Sequence, residues 1–309
     1  MTVIVYQSLN SNSSSTHGIK ASNSQNFTAL THDHYSGQNL SAFSLIQPTL
    51  PTGSPYTPVY GPPSKLELAP QGYMAKGSHT DQQFLSMVEG KARQMHQTLI
   101  RFSEKCDLMV FGELDNTHSD WSSLQFHAGP FLSSTFGQAK RACQCFSLHS
   151  ENSNVSIIAS DTSWVAVKCI DIIVLFVHVP NSIAGSPDAL LIYYNDIKNE
   201  VTNAKGGGTI DLVMGDTNQK SAGVTPAALT KATGSTFIDA HAEKKINPFD
   251  TYNQSFFGTN SKGTEKYDVA VYNSQRMKAP EVVYLSQFSP NDEGSVNAIT
   301  DHMGVAVKI

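Results

Sequence analysis

The chain has 309 residues, 39% of them hydrophobic and 15% charged, with a formal net charge of −5. That length is enough to bury a sizeable core and suits one large α/β domain or two ordinary ones. The acidic balance excludes a protein that grips nucleic acid mainly through a broad basic surface, but not one that acts on nucleic acid through a local positive field.

Residues 2–6 are β-branched and aromatic and predict a buried strand. From about residue 8 to residue 77 Ser, Asn, Thr, Gly and Pro dominate, which reads as an insertion after the first strand because routine connections are far shorter. Thr80 with Gln83 makes a capping-box start, and Phe84, Val88, Met95, Leu99 and Phe102 follow at helical spacing, predicting a helix over 81–104. Strands are expected over 108–111, ending at Gly112-Glu113, and over 155–159 and 164–168. The run 172–177 is apolar throughout, the pattern of a strand covered on both faces. Ser186-Pro187 opens a helix whose face is Leu190, Leu191, Tyr194, Ile197 and Val201, and glycines 206–208 stop it. A strand over 210–214, a short helix opened by Thr225-Pro226, a strand over 267–272 and a final strand over 304–309 complete the chain. Alternating strands and helices in the middle, paired strands elsewhere and no fixed-period repeat favour one mixed-sheet α/β domain over 1–309.

Cys106, Cys143, Cys145 and Cys169 form no CxxC pair and read as buried free thiols of a reducing compartment. The first residues lack the basic start, apolar stretch and cleavage site of a signal peptide, and the longest apolar run, 170–179, is interrupted by Asp171 and His178. A soluble protein is expected, cytoplasmic or exported without a cleaved signal.

The titratable residues carry more information through their positions. Glu113, His178, Asp216, Asn218 and the pair Asp301-His302 each lie at the edge of an apolar strand, and such ends converge on one rim of a sheet, where α/β proteins build their sites. In residues 212–218, Gly215 permits close approach of backbone to a ligand. If the segment stays extended, Asp216 and Asn218 project from one face. An ordinary Asp/Asn turn is the competing reading. His32-Asp33-His34 reads as a solvated loop, and Asp115, His118 and Asp120 either line a cleft or decorate a surface.

Taken together, Gly112-Glu113, residues 177–181 with His178, Gly215-Asp216-Thr217-Asn218, Tyr267-Asp268 and Thr300-Asp301-His302 resemble, in order, the motifs of the endonuclease/exonuclease/phosphatase superfamily. The resemblance implies a four-layer α/β sandwich of the DNase I-like kind, with two packed mixed β-sheets flanked by helices. It implies Glu113 and Asp301 as metal ligands, with Gln7 where the family has an Asn ligand, and Mg²⁺ as the ion, Mn²⁺ or Ca²⁺ being alternatives. By the same resemblance Asp216 and Asn218 position or activate water. His302, oriented by Asp268, acts as acid or base or contacts the phosphate, and His178 stabilises charge on the phosphoryl oxygens. Gln7, Thr217 and Thr300 depart from the usual Asn, Phe and Ser.

The expected activity is metal-dependent phosphodiester hydrolysis, first of all a nuclease acting on DNA or RNA, with a secreted effector or toxin as one setting. Lys140, Arg141, Lys220 and Lys262 are the cations that would reach a nucleic-acid backbone. A phosphatase or phosphodiesterase acting on a phospholipid or inositol phosphate is the alternative, with the Tyr- and Pro-rich residues 55–63 as its apolar loop. An inactive binding module of the same fold is the third reading.

Overall fold

The computed structural model describes residues 1–8, 106–114, 131–133, 145–150, 154–161, 163–219, 223–241, 266–285, 288–290, 296–298, 302 and 304–309. The predicted helix over 81–104, the His32 cluster, Asp115, His118, Asp120, Asp301 and the four candidate backbone-binding cations lie outside the described residues.

In chain order the strands begin with β1 (Val3–Ser8), β2 (Leu108–Leu114), β3 (Phe131–Ser133), β4 (Cys145–His149), β5 (Val155–Asp161), β6 (Trp164–Cys169) and β7 (Ile172–His178). Helices α1 (Asn181–Ala184) and α2 (Pro187–Asn203) precede β8 (Leu212–Asp216), and α3 (Val224–Thr233) precedes β9 (Phe237–Asp239). Then come β10 (Asp268–Asn273), β11 (Glu281–Leu285), β12 (Phe288–Pro290), β13 (Val296–Ala298) and β14 (Gly304–Lys308). One sheet has the order β11-β14-β1-β2-β4-β3, the other β5-β6-β7-β8-β10-β9, and β12 pairs with β13 alone. Each large sheet has a single parallel pair, β1 with β2 and β7 with β8, and antiparallel neighbours around it, so both sheets are mixed.

The side-chain alternation of strands builds the layers. Val174 and Phe176 of β7, Leu212 and Met214 of β8 and Ala270 of β10 share one buried core with Ile4, Tyr6, Val110 and Val305 of the first sheet. The Tyr6 and Phe176 rings stack across that interface with centroids 6.3 Å apart. Leu175 and Val177, on the opposite face of β7, pack with Val213, Val269 and Val271 against Leu190, Tyr194, Ile197 and Val201 of α2 and Leu229 of α3. The apolar run in β7 is thus covered on both faces, as its composition predicts. Two packed mixed sheets and the helices outside the second are the α/β sandwich that was expected.

The predicted strands are present, with boundaries that differ in a consistent direction. β1, β2, β7 and β8 each run on through the polar residues taken to mark their ends, so Gln7 and Ser8 belong to β1, and the rest of the expected insertion lies outside the described residues. Hydropathy ends a strand at its last apolar residue, whereas the ladder ends where hydrogen-bond partners run out. β3, β9, β12 and β13 have three residues each, too few to show a period. Helix α2 starts as predicted: Ser186 Oγ accepts from Ala189 N at 3.3 Å, with Pro187 in the first turn. Leu191, expected on its buried face, is only half-buried.

At the edge of the sheets away from the polar strand ends, two aspartates close the parallel pairs in the same way. Asp107 Oδ2 accepts from Val3 N at 3.0 Å and Asp211 Oδ2 from Ile173 N at 2.8 Å. Asp211 also accepts from Arg276 Nε through its other oxygen. Replacing Asp211 by Ala leaves the buried Ile173 amide without its acceptor, and a loss of about 3 kcal/mol in unfolding free energy is expected in urea titration. Cys169 is a buried free thiol pushed up to about 12, first by burial and then by the nearby Asp107 charge, and Cys106 is half-buried with its thiol 3.5 Å from Leu108 O.

Candidate active site

Topology brings the polar strand ends together. The parallel pairs point the C-terminal ends of β1, β2, β7 and β8 toward one rim, and antiparallel β10 and β14 bring their N-terminal ends to it. In the ladders Ser8 lies opposite Gly112, His178 opposite Asp216, and Asp216 opposite Asp268. Residues more than 100 positions apart in sequence thereby become neighbours.

Glu113 is aimed at the rim by a break in its strand. The β2–β4 register shifts between Phe111 and Leu114, and Glu113 has φ 59°, in the left-handed region. A bulge of this kind re-aims a side chain, and the conformation costs about 1–3 kcal/mol that the surrounding packing must offset. The Ser8 hydroxyl donates to Glu113 Oε2 in a short hydrogen bond, so the end of β1 orients the carboxylate. Gly112 leaves room for the Tyr6 ring, since a Cβ there would collide with the phenol. Burial, then the charges of Asp216, Asp268 and Glu113, push the Tyr6 hydroxyl well above its ordinary range, so it stays a neutral phenol beneath the acids.

Across the rim, His178 Nε2 lies 3.5 Å from Glu113 Oε1 and 3.8 Å from Asp216 Oδ2. His302 Nε2 lies 3.9 Å from Glu113 Oε2 and 3.8 Å from Asp216 Oδ2. Its other nitrogen, Nδ1, is 2.8 Å from Asp268 Oδ2. Glu113, His178, Asp216, Asp268 and His302 are all buried. One ligand atom each from Glu113, His178 and Asp216 falls within 4.8 Å of the others, a spacing that a metal ion can bridge.

The segment after β8 differs from the extended reading. The strand stops at Asp216 and Asn218 has φ 50°, so the two side chains are not presented by a continuing strand. Asp216 Oδ1 instead accepts from Asn218 N at 2.8 Å, an Asx turn, while Oδ2 faces the two imidazoles. The turn reading therefore describes Oδ1, and Oδ2 is left facing the rim. Asn218 Nδ2 donates to Val179 O at 2.9 Å, tying the chain after β7 to the end of β8. Gly215 is required by packing: at φ 136° a Cβ there would run into the Val177 carbonyl of the adjacent strand. It makes room for protein backbone, not for a ligand.

Among the expected site residues, Gln7, Glu113, His178, Asp216, Asn218, Asp268 and His302 all sit on this rim or its immediate support. Asp301 lies outside the described residues. Ser8 and Tyr6 were missed, because the sequence shows them only as the polar and aromatic end of a strand.

The fold is an α/β sandwich of two packed mixed sheets, with helices outside the second among the described residues. Solved structures similar to the chain include a 3′ phosphatase from Neisseria bound to product DNA hairpin, with TM-score 0.46 and 14% identity over 70% of this chain and 94% of that one. A mannosyl-6-phosphatase from Bacteroides thetaiotaomicron matches with TM-score 0.46 and 13% identity over 76% and 97%. An endonuclease/exonuclease/phosphatase family protein from the same organism matches with TM-score 0.45 and 13% identity over 76% and 92%. No family model matches the chain, and neither does any curated protein. Among the described residues no helix is long and apolar enough to cross a membrane.

Proposed function

We propose that this rim is the active site of a divalent-metal-dependent phosphoester hydrolase of the endonuclease/exonuclease/phosphatase superfamily, acting first of all on the phosphodiester backbone of nucleic acid. The observation that carries the reading is the meeting of two buried carboxylates, Glu113 and Asp216, with two imidazoles at 3.5–3.9 Å, one imidazole being held by a third carboxylate.

The residues fit a cation. Among the described residues the rim sets three buried acids against two imidazoles, and crowded acids in a poorly solvated place favour a bound positive charge. Glu113 would anchor the ion, with Asp301 as the further ligand that the sequence resemblance implies; the same resemblance puts Gln7 at the position of a third. Oxygen donors suit Mg²⁺, and Mn²⁺ or Ca²⁺ are accommodated by the same set. When bound, the ion offsets charge on the phosphoryl oxygens and acidifies the attacking water.

The protein's own groups do the rest. Asp268 accepts the Nδ1 proton of His302, which leaves Nε2 as the acceptor facing the rim. As water attacks phosphorus and the P–O bond to the leaving oxygen breaks, His302 Nε2 takes the water proton. Asp216 Oδ2, 3.8 Å from that nitrogen, orients the water. His178 offsets charge as it grows on the phosphoryl group. Asn218 keeps the β7 and β8 ends in register through Val179.

The Gly215-Asp216-Thr217-Asn218 and Thr300-Asp301-His302 motifs resemble those of nucleases, which makes nucleic acid the first substrate to try. A panel of supercoiled plasmid, single-stranded RNA, bis(p-nitrophenyl) phosphate and phosphoinositide vesicles, each with Mg²⁺, tests the proposal. Cleavage of plasmid or RNA supports it in full. Turnover of the lipid alone keeps the hydrolase and replaces the substrate. Folded, metal-loaded protein inert toward all four is a binding module.

A further inference from the structure

We infer that Gln7 is a positioning residue for His302, and that its amide is committed to clamping the histidine's main chain instead of serving chiefly as a metal ligand. The inference rests on the hydrolase reading for its catalytic consequence, but its structural part stands apart from that reading.

Gln7 is fully buried at the end of β1. Its Nε2 donates to Ser8 O at 2.8 Å and to His302 O at 3.0 Å. Both partners are carbonyl oxygens, which can only accept, so the amide orientation is decided by the network: nitrogen must face them and Oε1 must point away. Oε1 has no hydrogen-bond partner among the described residues. The two N–H bonds to carbonyls fix the amide's position and bind it to the His302 main chain whatever Oε1 meets.

The bond to His302 spans 295 positions of sequence and joins β1 to a residue two positions before β14. Its ring is fixed at Nδ1 by Asp268, from the other sheet. His302 is therefore held twice, through its backbone by Gln7 and through its ring by Asp268, and Nε2 is aimed at Glu113 and Asp216 as a result. An Asn at position 7 is one methylene shorter and would not reach the same carbonyl from the same backbone. The departure from the family's Asn thus has a task of its own in this chain, and Ser8, next along the strand, holds Glu113 in parallel.

Gln7→Glu and Gln7→Met separate a clamp from a ligand. Glu keeps the length and supplies a stronger oxygen ligand, but it sets a carboxylate against two carbonyls. Met keeps the bulk and removes both functions. Each variant is compared with the parent by thermal unfolding, by Mn²⁺ titration in a calorimeter, by kcat and KM, and by the NMR signal of the His302 Nδ1 proton, identified by its loss in His302→Ala.

The clamp predicts that both variants unfold cooperatively, bind Mn²⁺ within about threefold of the parent, and lose about 10–100-fold in kcat with KM little changed. The Nδ1 signal broadens or disappears in both. Full kcat in Gln7→Glu, or lost Mn²⁺ binding in Gln7→Met with an undisturbed Nδ1 signal, would overturn the inference in favour of metal ligation. If the parent hydrolyses no phosphoester, the functional reading fails, while the Nδ1 signal still decides the clamp.

Discussion

Replacing His302 by Ala is expected to lower the rate of phosphoester hydrolysis by about 10²–10⁴-fold, the usual worth of a positioned general base. The loss should appear in kcat, since His302 Nε2 faces the acidic rim and, in the proposed mechanism, takes the water proton as the transition state forms. Asp268→Asn tests the same unit from behind. Asp268 Oδ2 takes the Nδ1 proton at 2.8 Å, and an amide presenting its NH₂ there would favour the other tautomer, with the proton on the face that must accept one. The double variant should be scarcely slower than the slower single one, because residues that act as one unit are not additive. Additive losses would separate the two residues and contradict the assigned roles.

The second large effect is expected at Glu113. Glu113→Ala should weaken Mg²⁺ or Mn²⁺ binding by at least about 100-fold in calorimetry and reduce hydrolysis to background, since the metal contributes several kcal/mol of charge stabilisation. The same change should leave the fold intact: it relieves the closeness of the Glu113 and Asp216 carboxylates, against the loss of the acceptor that the buried Ser8 hydroxyl uses. An intact fold with lost metal binding and lost activity is a combination that a merely structural carboxylate would not give. Retained metal affinity would move the anchoring role to Asp216 and His178, the other members of the compact ligand group.

Much of this site was legible in the sequence because each residue sits where an apolar strand stops. Glu113, His178, Asp216 and Asp268 interrupt runs of Val, Leu, Ile and Phe, and a buried sheet tolerates such groups only at its ends or in pairs. The large strands and helix α2 were legible for the same reason, since their apolar residues repeat with the period of their element. Other features leave no local trace. The Gln7–His302 bond joins opposite ends of the chain, the left-handed turn at Glu113 is set by a bulge against β4, and the need for Gly215 comes from Val177 on another strand. The Asp216–Asn218 turn was foreseen as a competitor to a site, whereas the turn uses Oδ1 and leaves Oδ2 facing His178.

Ser8 illustrates the limit at a single position. In sequence it opens a polar stretch and looks like the first residue of the insertion; in the fold it closes β1 and donates to Glu113. Only the parallel register with β2, which sets Ser8 opposite Gly112, reveals the difference. Register is a long-range property, fixed by which faces are buried and not by any short motif.

The central claim is that metal and His302 act together on a phosphoester at this rim. Nicking of supercoiled plasmid by the purified protein, followed with Mg²⁺, with EDTA, with EDTA then excess Mg²⁺, and with folded His302→Ala, tests it most directly. Nicking that is lost in EDTA, restored by Mg²⁺ and absent from the variant is the predicted result. Nicking that persists in EDTA, or that His302→Ala performs as fast as the parent, would contradict the account.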